Sequence, residues 1–130
     1  MDRPADTSSG MASKIPQIDL PTFDALGAQV PPGPDVTLVD FTAKWCGPCR
    51  TLDKVLDVLV DEYAGRVRFV AVDVNDEPAL ADRFGVRAMP TLVVWRGGRE
   101  VGRIVGSRPR AFVAGVLDRA LDGDVAIASP

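Results

Sequence analysis

In Val36-Thr37-Leu38-Val39-Asp40-Phe41-Thr42-Ala43-Lys44-Trp45-Cys46-Gly47-Pro48-Cys49, an apolar, β-branched run gives way within four residues to two cysteines three positions apart. The run Val36 to Phe41 is too short for a helix and lacks alternation, as expected of a strand buried on both faces of a sheet. Asp40 is its odd member. After Cys46 the apolar residues Leu52, Val55, Leu56, Leu59, Val60 and Tyr63 recur at helical spacing, with Asp53, Lys54, Asp57 and Asp61 facing away and Gly65 closing the helix. Arg66 to Val74 reads as the next strand. Strand, helix and strand at this spacing make a βαβ unit with a right-handed parallel crossover.

On the N-terminal side, Ile15 to Asp19 is a short strand candidate and Pro21 to Leu26 a short helix ending near Gly27, before the break at Pro31-Pro32-Gly33-Pro34. On the C-terminal side, Pro78 fits a first helical turn with Asp76 or Glu77 as cap, giving a helix Ala79 to Phe84 that closes at Gly85. Thr91 to Arg96 and Arg99 to Val105 flank Gly97-Gly98, the signature of an antiparallel hairpin. A last helix, Ser107 to Leu121, would pack Phe112, Val113, Val116, Leu117, Ala120 and Leu121 on the sheet. The expected class is α/β: a central mixed β-sheet flanked by helices on both faces. There is no internal repeat.

The 130 residues, 46% of them hydrophobic, suffice for one core and are too few for two ordinary domains. Residues 1–14 are polar and rich in Pro, Ser, Gly and Asp, so a flexible N-terminal extension is expected before a domain at 15–122 and a short tail at 123–130. A net charge of −3 with scattered Lys and Arg argues against nucleic acid as a partner. Two cysteines cannot staple a secreted scaffold. Met1 to Gly10 has no apolar core of a signal peptide, and no run of about eighteen apolar residues is present to enter a membrane. A cytoplasmic protein, away from membranes, is the expectation.

Cys46 and Cys49 fall where a buried strand meets a helix, the place where open α/β sheets put their sites. In a first helical turn, cysteines three apart can come within disulfide reach, about 5.5 Å between Cα atoms, and Gly47 and Pro48 keep that turn tight. The helix N-terminus favours a thiolate at Cys46, making it the attacking sulfur. Cys49, a turn further in, would resolve the mixed disulfide. Asp40, expected beneath the pair and costly to ionise there, suits a general base for Cys49. Other readings exist. A CxxC can be half of a zinc site, but the chain has no other Cys and no His. The cysteines could be buried bystanders, and Asp40 a hydrated or turn-capping carboxylate. Met89-Pro90-Thr91 opens a strand beside the site; a trans bond is the default, whereas a cis bond would leave the Met89 backbone free to pair with an extended peptide.

Val39-Asp40-Phe41-Thr42-Ala43-Lys44-Trp45-Cys46-Gly47-Pro48-Cys49-Arg50, followed by Met89-Pro90-Thr91 and Val105-Gly106, resembles the thioredoxin family over roughly residues 15 to 122. The resemblance implies the thioredoxin fold, with Cys46 as nucleophile, Cys49 as resolving thiol, Asp40 as buried acid and Pro90 as a cis-proline facing the disulfide. It implies a shallow apolar docking surface for protein substrates from Trp45, Gly47, Pro48, Met89, Pro90, Thr91 and Gly106. It also implies a protein-disulfide reductase that binds no cofactor, works as a monomer, and is recharged by a flavin-dependent, NADPH-linked thioredoxin reductase. Three positions depart from the family pattern. Thr42 stands for a second Trp, Lys54 for a helix-kinking Pro, and Ala71 for a Lys near the buried acid, which implies a straighter helix and a further rise in the Asp40 pKa. Competing functions are a redox-gated binding module using the same surface, and a disulfide oxidase or isomerase. The latter usually carries a His between the cysteines, and this chain has none.

Overall fold

The computed structural model describes residues 14–28 and 34–123. Four strands form one sheet in the order β2-β1-β3-β4, with β1 Val36–Thr42, β2 Val67–Asp73, β3 Thr91–Arg96 and β4 Arg99–Val105. β1 and β2 run parallel, joined by helix α2, Gly47–Glu62, while β3 is antiparallel to both β1 and β4. Helices α1, Leu20–Ala28, α3, Pro78–Arg83, and α4, Arg110–Leu121, complete the fold.

Side chains alternate across a strand, so each face of the sheet builds its own core. On one face Val36 and Leu38 of β1 pack with Leu52, Leu56 and Leu59 of α2 and with Val113, Leu117 and Ala120 of α4. On the other, Val39 and Phe41 pack with Phe23 of α1 and Leu80 of α3. Phe84 sits at the centre of an aromatic group there, 5.4 Å from Phe23, 5.5 Å from Phe41 and 5.4 Å from Trp95 between ring centroids. Each wholly buried leucine contributes about 1.5–3 kcal/mol. The hairpin turn has φ of 61° at Gly97 and 82° at Gly98, the left-handed pair that a two-residue connection requires.

Several local expectations are corrected. Ile15 to Asp19 forms no strand: Gln17 makes an isolated parallel bridge to Ala71, supported by Ile18 N–H donating to Ala71 O and Ala71 N–H to Pro16 O. Pro16 has no N–H with which to extend a ladder. α2 ends at Glu62 with Tyr63 as its C-cap, and Gly65 serves the following turn at φ 82°. α4 begins at Arg110 rather than Ser107, because Pro109 is its extended N-cap and a proline keeps the residue before it out of the helical region. Phe112 is not packed on the sheet; it is 38% exposed, with the Arg108 guanidinium 5.2 Å from its ring. The buried stripe is Val113, Val116, Leu117 and Ala120, and Phe112 lies one residue, about 100°, off it. Glu77 is the N-cap of α3 by position, yet its carboxylate accepts from the Leu20 N–H at 3.1 Å.

Residues 1–13 of the expected extension, the break at 31–33 and residues 124–130 of the expected tail lie outside the described residues. Lys14, assigned above to the extension, is tied to α2 through its backbone N–H to Asp57 and its ammonium to Asp61.

Candidate active site

β1 delivers the chain to the N-terminus of α2, where Cys46 is the N-cap in extended geometry and its Sγ accepts from the Cys49 N–H at 3.2 Å. Cys46 and Cys49 are disulfide-bonded, with Cα atoms 5.2 Å apart. The two sulfurs differ in access: Cys46 is partly exposed at the helix end, whereas Cys49 is 1% exposed beneath it. Trp45, immediately before, is 95% exposed.

Asp40 lies on the face of β1 that α2 covers, two residues along from Leu38, and is 3% exposed. Its Oδ1 has no hydrogen-bond partner among the described residues. Burial, reinforced by the negative charge of Asp53 and opposed by the positive charge of Arg50, pushes its pKa up to about 7. Two residues further along that same face of β1, Thr42 is buried across the register from buried Asp73. Asp73 Oδ1 accepts from the N–H groups of Asn75 at 2.8 Å and Asp76 at 3.2 Å.

Arg50 is the site residue that sequence reasoning missed. Its guanidinium donates to Asp53 Oδ2 at 3.0 Å, to Lys44 O at 2.7 Å, to Ala43 O at 3.2 Å and to Thr42 Oγ1 at 3.3 Å. Asp53, expected to face away, is thereby drawn under the helix start and is half-buried. The visible signal was the i, i+3 spacing of opposite charges; the oxygens of Thr42, Ala43 and Lys44 carry no sequence signature.

The remaining expected residues assemble through β3. Phe41 pairs with Thr91, so the turn before β3 lies beside the chain leaving β1. The Met89–Pro90 peptide bond is cis. Thr91 Oγ1 donates to Ala88 O at 2.7 Å, and Gly106 N–H donates to Pro90 O at 2.8 Å, the latter from a residue at φ 89°. Trp45, Gly47 and Pro48 are exposed, Met89 and Gly106 partly so, and Pro90 and Thr91 buried, so the accessible apolar surface belongs mainly to the Cys46 loop. Chemically, a cysteine pair held in disulfide reach, one sulfur accessible and one sealed, accepts two electrons as the disulfide and releases them as the dithiol without refolding.

The family model described as Thioredoxin matches residues 21–119. A thioredoxin from Synechocystis is 36% identical over 111 residues, covering 84% of this chain and 99% of its own. A chloroplastic M-type thioredoxin from Brassica napus is 32% identical over 116 residues, 89% of this chain and 62% of its own. Among solved structures, oxidised mitochondrial thioredoxin 3 from Saccharomyces cerevisiae superposes with a TM-score of 0.71 at 36% identity, covering 85% of this chain and 99% of that one. These relatives span a cyanobacterium, a chloroplast and a mitochondrion.

Proposed function

The chain belongs to the thioredoxin family and is a protein-disulfide reductase, and from that premise we propose how its residues divide the work. In the reduced protein the Cys46 thiolate, stabilised by the N-terminus of α2, attacks one sulfur of a substrate disulfide. The substrate S–S bond breaks, its departing sulfur takes the electron pair and then a proton, and Cys46 is left in a mixed disulfide. Asp40 takes the proton from the Cys49 thiol, and the Cys49 thiolate attacks the Cys46 sulfur. The Cys46–Cys49 disulfide forms, and the second substrate sulfur leaves and is protonated. Two electrons and two protons have passed to the substrate. The observation that carries this order is the contrast between a partly exposed Cys46 at the helix end and a Cys49 sealed beneath it.

Trp45, Gly47, Pro48, Met89, Pro90, Thr91 and Gly106 form the docking region. The Met89 backbone, which makes no hydrogen bond among the described residues, is the part suited to pairing with an extended substrate. The dithiol is regenerated by a flavin-dependent, NADPH-linked thioredoxin reductase. A reducing compartment, the cytoplasm, fits a chain whose only two cysteines both belong to the site. No described helix is long and apolar enough to cross a membrane. A monomer fits the described residues, among which the exposed large hydrophobic side chains are Trp45, Val58, Val105 and Phe112. The proposed domain limits of 15–122 are supported by packed cores that reach from Ile15 to Ala120. NADPH-coupled insulin reduction with thioredoxin reductase present tests the reading: rapid turnover that Cys46→Ser abolishes supports it. Cys46-independent turnover, or none beside a working control thioredoxin, overturns it.

A further inference from the structure

Arg50 is placed where the reaction's two moving parts meet. The chain that presents Trp45 and Cys46 leaves β1 through Thr42, Ala43 and Lys44, and one guanidinium bonds an oxygen of each while also holding Asp53 Oδ2. Such a multidentate grip needs the planar fork of an arginine; a lysine ammonium is a compact point charge that cannot span it. The same group carries the positive charge set against the Asp40 carboxyl. On the other elements packed there, β2 offers Ala71 and the carboxylate of Asp73, β3 offers Leu92 across from Asp40, and α4 offers the apolar Val113 and Leu117. On α2 itself Asp53 and Arg50 act on the Asp40 carboxyl, with Asp57 acting on Asp53 from the next turn.

We propose that Arg50 is a positioning residue for disulfide reduction: it fixes the loop that delivers Cys46 and supplies, from α2, the positive charge that Ala71 does not supply from β2. This inference rests on Asp40 being the proton acceptor for Cys49. Burial is the largest influence on Asp40, and Asp53 and Arg50 act on it with opposite sign, so their balance adjusts the pH at which the acid becomes a competent base. The loop grip and the charge are separable, because a lysine retains the second and forfeits most of the first.

The test combines carboxyl NMR titration of Asp40 with insulin-reduction rates from pH 5.5 to 9 for Arg50→Gln, Arg50→Lys, Asp53→Asn and Asp40→Asn. Arg50→Gln is expected to move the Asp40 midpoint upward and the acid limb of the rate profile with it, with turnover falling roughly three- to tenfold at pH 6 and less at pH 8. Asp53→Asn is expected to move the midpoint downward. Arg50→Lys should hold the midpoint near that of the parent and lose rate at every pH. An Asp40 midpoint unmoved in Arg50→Gln, or Arg50 variants that all reduce insulin at the parent rate, overturns the role of Arg50. Asp40→Asn separates the two layers. If it reduces insulin at the parent rate, the reading of Asp40 as base fails; if it is slow while the Arg50 variants shift nothing, only the proposal for Arg50 fails.

Discussion

Asp40 of β1 stands directly across the parallel register from Ala71 of β2, whose methyl group offers the buried carboxyl neither a charge nor a hydrogen bond. The resemblance sets Ala71 where a lysine would stand near the buried acid, yet a cation still acts on Asp40. Arg50 reaches the same neighbourhood from the helix, but it is shared with Asp53, whose own negative charge works against it. Burial therefore remains the largest influence on Asp40.

Stability should fall with rising pH because of this one group. Asp40 is neutral in both states below its ordinary value of 3.8, and folding has no charge to bury there. Between 3.8 and about 7 the unfolded chain ionises while the native one stays protonated, so stability is lost progressively across that window and levels off above it. The distance between the two values sets a ceiling of roughly 4 kcal/mol, and structural relaxation reduces what is observed. Asp40→Asn should be more stable than the parent by about 1–3 kcal/mol at pH 8 and close to equal near pH 3, read from urea melts at both pH values. A mutant less stable at pH 8 would mean that the native carboxylate is well solvated or paired.

β1, α2 and the hairpin were legible because burial on both faces, a 3.6-residue apolar period and a Gly-Gly turn each leave a local signature. The roles proposed for Cys46 and Cys49 follow from where those elements abut. Arg50 was not legible, since its bonds to Thr42, Ala43 and Lys44 depend on the path the chain takes from the end of β1 to α2. Phe112 was misplaced for a related reason. Periodicity allowed a broad apolar stripe on α4, and only the packing shows that Val113 and Leu117 point at the sheet while Phe112 lies under Arg108.

Tyr63 offers a control remote from the thiols. Its hydroxyl donates to Asp118 Oδ1 at 2.6 Å and to Ala114 O at 3.3 Å, fastening the end of α2 to α4. Burial and Asp118 push its pKa up to about 12, so the contact persists throughout the working pH range. Tyr63→Phe should cost about 1 kcal/mol in denaturant melts and leave insulin reduction at the parent rate. A loss of activity at full occupancy of the fold would show that the far end of α2 controls the site.

In the reduced protein, iodoacetamide near neutral pH should label Cys46 and spare Cys49. Only Cys46 combines access with the unpaired N–H groups of a helix start, whereas Cys49 is 1% exposed. Peptide mapping after brief exposure gives the ratio directly. Equal labelling would mean that reduction opens the helix start and exposes both thiols, and preferential labelling of Cys49 would reverse the assignment.

Cys49→Ser should convert the protein into a trap. Attack by Cys46 requires only the helix N-terminus and an accessible sulfur, both of which survive the substitution, so the mixed disulfide forms as before. Its resolution requires a second sulfur within reach of Cys46, and the chain contains no other cysteine. A serine hydroxyl at the same place cannot substitute, because an alkoxide is far harder to generate than a thiolate and an S–O bond is no stable product. Covalent adducts with oxidised substrate proteins should therefore accumulate, appear as discrete bands on non-reducing gels, and vanish with dithiothreitol. Cys46→Ser should give none, since Cys49 is sealed beneath the helix start. Adducts appearing with Cys46→Ser and not with Cys49→Ser would exchange the roles of the two thiols and require the buried sulfur to emerge during the reaction.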